Sequence, residues 1–256
     1  MEIAPGSILQ RMHIKRRLKT FSPKTFCEIG SGNGYISNLL LKQGLTGVGY
    51  DLNASACDNN RALNINFVNE KKYVVYNSDF FNEEVNQLFD IILSCMVIEH
   101  LPEDVVSNYF EICKRKLAPN GKIIILVPSS MKYWGIEDEI AGHYKRYEFE
   151  DIESIAKKHN LLINDVSGLT YPVSNILFSL SNKLITNSEA HKTKISMQEQ
   201  TILSGNRNVK FKTTFPAILK LILNEYILFP FYLLQKLNKN NKNSMVIYAE
   251  FSKKVT

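Results

Sequence analysis

Short apolar runs alternate along the first half of the chain with longer stretches whose apolar positions recur at helical spacing. "TFCEIG" predicts a buried strand closed by glycine, and "YISNLLLKQG" follows with helical spacing and a stop at Gly44. "LTGVGYD" predicts a second strand ending at Asp51, "NASACDNNRAL" a short helix, "KYVVYNSD" a third strand and "NEEVNQLF" another short helix. "FDIILSCM" is nearly all apolar, as a strand buried on both faces must be. "PEDVVSNYFEICKRKL" predicts a helix with Pro102 at its start and acids in its first turn. "APNG" reads as a turn and "KIIILVPS" as a fifth strand.

This alternation predicts a parallel sheet covered by helices and joined by right-handed crossovers. Residues Ser129 to Tyr147 read as a loop, followed by the helix "EFEDIESIAKKHN" and a sixth strand, "LLINDVSGL". "SMVIYAEFS" predicts a seventh strand. Between these two strands, from about Tyr171 to Asn243, lie three helix-like runs rich in Lys and Asn. The opening "MEIAPGSILQRMHIKRRLKT" lacks the apolar core of a signal peptide and reads as a basic helix from about Ser7 to Lys19. The expected organisation is one domain over 1–256, with a basic N-terminal helix within 1–22 and a helical insertion over 171–243.

Composition adds little to the fold and more to the partners. The 256 residues are 45% hydrophobic, enough for a sizeable core. A net charge of +6 and a pI near 9.0 admit nucleic acid, anionic lipid or a phosphorylated substrate without selecting among them. Cys27, Cys57, Cys95 and Cys113 show no CxxC spacing and no histidine at metal-ligand spacing. Cys27 and Cys95 lie in strand-like runs and read as small buried hydrophobes, which fits a reducing cytoplasm.

"CEIGSGNGYIS" carries the first chemistry. Gly30, Gly32 and Gly34 form a turn between the first strand and first helix, with Glu28 just before them. Such a turn lets a ligand touch the backbone at the carboxyl edge of a sheet. The third glycine of the dinucleotide fingerprint G-x-G-x-x-G would fall at position 35, which is Tyr35. Asp51, at the end of strand two, is placed to accept both hydroxyl protons of a ribose.

Together these segments resemble the class I S-adenosylmethionine-dependent methyltransferases. "CEIGSGNG" is similar to that family's first motif, "GYDLN" to its second, and "NSDF" to the third. "FDIILSCMVIEHLPED" resembles the fourth strand and its exit, and "KLAPNGKIIILVPS" the segment into the fifth. The resemblance covers roughly Thr25 to Leu169 and the last strand. It implies a doubly wound, mostly parallel, seven-stranded Rossmann-like sheet with a helical insertion between the sixth and seventh strands. It also implies an enzyme whose cofactor is S-adenosyl-L-methionine and whose product is S-adenosyl-L-homocysteine. Glu28, Gly30, Ser31, Gly32 and Gly34 would cradle the amino acid end. Asp51 would hold the ribose, with Leu52 also among the cofactor-binding residues, Ser78 or Asp79, with Phe80, would frame the adenine, and Ser94, Cys95 and Met96 would border the sulfonium.

These motifs say little about the methyl acceptor. No Asn/Asp-Pro-Pro-aromatic motif and no Pro-Cys nucleophile follows strand four. There is no RNA module or aromatic-and-basic stripe either, so nucleic acid is not the expected partner. "VIEHLPED" and "GHYKRYEFEDIESIAKKHNLLINDVSGLTYP" resemble segments of the ubiquinone-biosynthesis O-methyltransferases. "GHYKRY" also resembles methyltransferases of bacterial surface-glycan and secondary-metabolite pathways. The resemblance implies a small-molecule or glycan- or lipid-linked acceptor, methylated on a hydroxyl. His143 is the candidate general base, since imidazole titrates near neutrality. Arg146 could pair with a carboxylate or phosphate, and Tyr144 and Tyr147 could wall the acceptor. Some of these relatives bind a divalent metal through Glu-x-x-Glu-His. Glu99 and His100 match its last two members, but the first falls on Met96, so no metal is expected.

Phe215 to Leu237 is the most apolar stretch, yet Lys220, Asn224 and Glu225 interrupt it and Pro230 would bend it, so it is not expected to span a membrane. Three readings stay open: a lid over the acceptor, a dimer surface, or an interfacial helix contacting the inner membrane face. Monomer and homodimer both remain. The rival functions are methyl transfer to nucleic acid or protein, a nicotinamide-dependent dehydrogenase on a related fold, and a scaffold without catalysis.

Overall fold

A computed structural model describes residues 4–82, 87–189, 219 and 221–254. Seven strands form one sheet: β1 (Thr25–Ile29), β2 (Thr46–Tyr50), β3 (Tyr73–Tyr76), β4 (Phe89–Cys95), β5 (Leu117–Pro128), β6 (Leu161–Leu169) and β7 (Val246–Lys253). Their order is β3-β2-β1-β4-β5-β7-β6. The first five pair in parallel, and β7 runs antiparallel between β5 and β6. The chain winds outward from β1 through β2 to β3, then returns to β4 on the other side of β1. The crevice between the carboxyl ends of β1 and β4 is therefore the switch point where such sheets bind ligands.

Helices cover both faces: α1 (Pro5–Leu18), α2 (Tyr35–Lys42), α3 (Ala54–Leu63), α4 (Ile65–Asn69), α5 (Glu103–Lys116), α6 (Ile136–Ala141), α7 (Phe149–Lys158), α8 (Val173–Glu189) and α9 (Phe229–Leu237). Alternation along β5 sends Ile123 and Ile125 to one core and Ile124 and Leu126 to the other. Ile91, Ile92 and Leu93 of β4 are fully buried. Each contributes about 1.5–3 kcal/mol of transfer free energy, which is why the central strand carries almost no polar residue. Glu103 and Asp104 open α5, and Lys114, Arg115 and Lys116 close it, matching the helix dipole.

The basic N-terminal helix forms, starting at Pro5 rather than Ser7. Ile8, Leu9 and Met12 pack on Leu228 and Tyr232, while Ile14 and Leu18 pack on the sheet. The "APNG" turn falls inside β5 as an excursion: β4 advances from Phe89 to Ile91 while β5 advances from Leu117 to Lys122. The stretch read as one loop from Ser129 contains α6. Its six residues are too few for periodicity to reveal, but the Gly135 N–H caps it by donating to Asp138 Oδ2 at 2.9 Å. Residues 83–86 of the helix expected at "NEEVNQLF" lie outside the described residues and its last residue, Phe89, instead opens β4; residues 190–218 and 220 of the insertion also lie outside them. Among the described residues, no helix is long and apolar enough to cross a membrane.

Candidate active site

A cavity of about 900 Å³ opens at the switch point. The carboxyl ends of β1, β2 and β4 form its floor, through Gly30, Gly32, Asp51, Cys95 and Met96. Residues Ser78, Asp79 and Phe80 close one side, and the first turn of α1 with α8 closes the other. His143 and Arg146 line it from beyond β5. The cavity lies at the large end of the usual range for ligand sites, with room for a cofactor and a second molecule.

Two glycines of the turn have different reasons to be there. Gly34 begins α2 with φ +79°, and a Cβ would lie 2.1 Å from Asn60 Oδ1, so helix-to-helix packing demands glycine. Gly32 has φ +48°, and a Cβ there would meet no atom within 4 Å. This position is open toward the cavity, leaving backbone accessible to a ligand. Asp51 stiffens the same turn: its Oδ2 accepts from the Gly32 N–H and its Oδ1 from the Asn53 N–H, each at 2.8 Å. A carboxylate has about four lone-pair positions, so two remain for a ligand.

Beneath the turn, Glu28 is 2% exposed and accepts from the Ser37 hydroxyl. Ser37 and Asn60 both bond to the Tyr73 hydroxyl, and Asn60 also donates to Ser31 Oγ. This network ties β1, α2, α3 and β3 together under the glycines. Burial raises the Glu28 carboxyl from 4.5 to about 8 against the lowering effect of Ser37. Asp79 Oδ1 caps the following turn by accepting from the Phe81 N–H at 3.0 Å. Ser78 Oγ is buried in the cavity wall with no partner among the described residues, a donor in place for a ligand acceptor. Met96 holds the left-handed φ of +56° at the exit of β4, with its N–H bonded to Leu126 O.

The second half of the site is a buried polar cluster. Asp138, on α6, is fully buried and its Oδ1 accepts from His143 Nδ1 at 2.8 Å and from Arg146 Nε at 2.9 Å. Burial would raise the Asp138 carboxyl, but these two bonds hold it below the ordinary carboxylate value. An ionised Asp138 can only accept, so His143 donates from Nδ1–H, and in the neutral ring Nε2 is then the acceptor. The His100 ring stands edge-on to His143 with centroids 4.6 Å apart. Burial, then the neighbouring His143, lowers His100 to about 3, so it is neutral. Glu99 is fully buried, and neither carboxylate oxygen has a partner among the described residues. Burial raises it to about 7. Glu99, His100 and His143 each offer a ligand atom, and these atoms lie within 4.8 Å of one another.

Folding thus gathers Gly30, Gly32, Asp51, Leu52, Ser78, Asp79, Phe80, Cys95, Met96, His143 and Arg146 around one cavity. The other candidates lie outside its lining. Glu28, Ser31 and Gly34 support the turn from below. Ser94 is buried, accepting from the Tyr109 hydroxyl at 2.9 Å. Tyr147 is buried, its hydroxyl donating to Ile98 O at 3.2 Å, and Tyr144 points to solvent at 51% exposure. Arg146 reaches the cavity but spends donors on Asp138 and on Ser129 O, so its first task is holding the loop. Cys95 is half-buried rather than a core residue. Asp138 escaped the sequence reading. Its signal was present as Asp138-x₄-His143, but no strand or glycine motif marks that loop.

A family model described as a methyltransferase domain matches residues 7–164. The ubiquinone biosynthesis O-methyltransferase of Pasteurella multocida is 22% identical over 138 residues, covering 50% of this chain and 56% of that protein. The mitochondrial enzyme of that name from Bos taurus is 23% identical over 198 residues, covering 71% and 53%. The chain thus spans about half the length of the curated relatives it matches. The crystal structure of Haemonchus contortus phosphoethanolamine N-methyltransferase 2 with S-adenosyl-L-methionine has a TM-score of 0.57 at 20% identity, covering 96% of this chain and 52% of that one. The matched segment runs from α1 into the start of β6 and takes in every strand that floors the cavity, so the chain belongs to the methyltransferase-domain family, of the class I S-adenosylmethionine-dependent kind.

Proposed function

We propose that the chain methylates a hydroxyl group on a small molecule with a substantial apolar part, using S-adenosyl-L-methionine, with His143 taking the hydroxyl proton. One observation carries this reading: His143, held from behind by the buried Asp138, lines the same cavity as the glycine turn. The names of both curated relatives favour an oxygen acceptor. When bound, the cofactor supplies an activated methyl on a sulfonium. Gly30 and Gly32 expose backbone to its amino acid end, and the free lone pairs of Asp51 accept from the ribose hydroxyls. Ser78 and Asp79 meet the adenine end, and Phe80 walls it. On the acceptor side Asp138 fixes the His143 tautomer, so Nε2 receives the proton. Leu177, Phe178, Leu180 and Leu184 of α8 turn apolar surface to the cavity, which favours a lipid-like acceptor over a bare glycan and gives α8 the role of a lid.

The test is turnover with hydroxylated amphipathic acceptors, followed as S-adenosylhomocysteine release. His143→Ala should lower it by about 10²- to 10⁴-fold while leaving cofactor affinity unchanged. Near-normal turnover of that variant across roughly pH 6 to 9 would make the histidine structural. The close approach of Glu99, His100 and His143 favours a second reading, in which the cluster holds a divalent cation beside the acceptor. Turnover that survives a chelator supports the metal-free reading. Turnover lost to the chelator and restored by a divalent cation supports the second.

A further inference from the structure

A second cavity, of about 650 Å³, lies away from the active site, between the C-terminal half of α1, α9 and the end of β6. Five basic side chains, Arg16, Arg17, Lys19, Lys236 and Lys239, line it against a single carboxylate, Asp165. Arg17 is already committed, with Nε and Nη2 donating to the buried Glu250 at 3.0 and 2.9 Å. Asp165 is engaged as well, accepting from Ser167 and lying 3.6 Å from His13 Nε2. The other four cations have no carboxylate partner among the described residues. Arg16 is held in place from above the rings of Phe229 and Tyr232, at 5.5 and 4.9 Å, a contact that orients the guanidinium without consuming its N–H donors.

The independent sign of a ligand is Gln235, which lines the same cavity and is 1% exposed. Its Oε1 accepts from the Thr170 N–H at 2.6 Å, which fixes the orientation of the amide. Both protons of Nε2 are then left without an acceptor among the described residues. A buried donor left unmade costs about 1–3 kcal/mol. Four cations and one buried amide nitrogen, all without a hydrogen-bond or carboxylate partner among the described residues, match an anion carrying more than one charge and several acceptor oxygens.

We propose that this cavity binds a phosphate-bearing ligand. A phosphate monoester carries a charge of roughly −1.5 to −2 and three strong acceptor oxygens, which suits this donor set better than a single carboxylate. The cavity is larger than an inorganic phosphate, and Leu169 and Tyr232 add apolar wall to it. The phosphate therefore belongs to a larger molecule, either a soluble phosphate ester or the headgroup of a phospholipid.

The test compares wild type with Lys236→Gln/Lys239→Gln, whose two side chains are at the surface and outside the methyl-transfer site. Unchanged S-adenosylhomocysteine affinity in the variant shows that it is folded. Inorganic pyrophosphate is titrated calorimetrically at fixed ionic strength, and sedimentation is measured with phosphatidylcholine vesicles with and without phosphatidic acid. Pyrophosphate binding that weakens about tenfold or more in the variant supports the site with a soluble ligand as its source. Sedimentation that needs phosphatidic acid, fails in the variant and is not matched by pyrophosphate binding supports it with a lipid headgroup as its source. The proposal is overturned if wild type binds neither probe, or if both proteins bind equally well.

Discussion

The two ends of the main cavity are built by different means. The proposed cofactor end is made of backbone: an open glycine at position 32, a helix start at Gly34, and an Asp51 carboxylate that bonds two main-chain N–H groups. The proposed acceptor end is made of side chains: Asp138, His143 and Arg146 hold one another in a buried cluster drawn from a short helix and a loop. A backbone site needs a contiguous motif, because the turn and its neighbouring strand end create it locally. A side-chain site needs only that a few residues meet, so its sequence trace is scattered.

This contrast can be broken most strongly at His143. The turnover loss set out above, without loss of cofactor affinity, would confine the proton transfer to the acceptor end. Asp51→Ala should do the reverse. On the proposed placement it removes charge-assisted bonds to the ribose, and it frees the Gly32 N–H, so S-adenosylhomocysteine affinity measured by calorimetry should fall about tenfold or more, or ~1.5 kcal/mol. Equal affinity in that variant would show that the carboxylate serves only the turn.

Asp138→Asn sharpens the side-chain half. The amide cannot anchor His143 and Arg146 as the carboxylate does, so kcat should fall by roughly tenfold or more, with a smaller change in acceptor KM. A fall in thermal stability with kcat intact would mean that Asp138 merely holds the loop.

The smallest expected effect concerns the support of the glycine turn. Glu28 has its folded pKa raised from 4.5 to about 8 by burial, so the folded state binds the proton more tightly than the unfolded chain does. Stability is then fully present below about pH 4.5 and declines as pH rises toward 8, with Glu99 adding to the same slope up to about 7. Glu28→Gln mimics the protonated acid and should flatten that decline in urea melts between about pH 5 and 8. An unchanged slope would place the proton elsewhere.

The sheet was legible because buried parallel strands need nearly unbroken apolar runs, and "FDIILSC" and "KIIILVP" can hardly be anything else. The meeting of the glycine turn with Asp51 at the sheet edge was legible for a related reason. Gly30 to Gly34 and Asp51 sit at fixed offsets from strand ends, so local spacing carries the geometry. Tertiary structure decided the rest. Only packing shows that Gly34 is glycine because Asn60 lies against it, and that Ser94 faces Tyr109 rather than the cavity. Tyr147 is a buried tie to Ile98, and Arg146 turns inward to Asp138. The basic cavity joins α1 to α9, more than 200 positions away along the chain, so no local pattern could announce it. Strand and turn preferences act over a few neighbouring residues and can be read along the chain, whereas the pairing of buried charges is set by contacts between distant segments and exists only once the chain has folded.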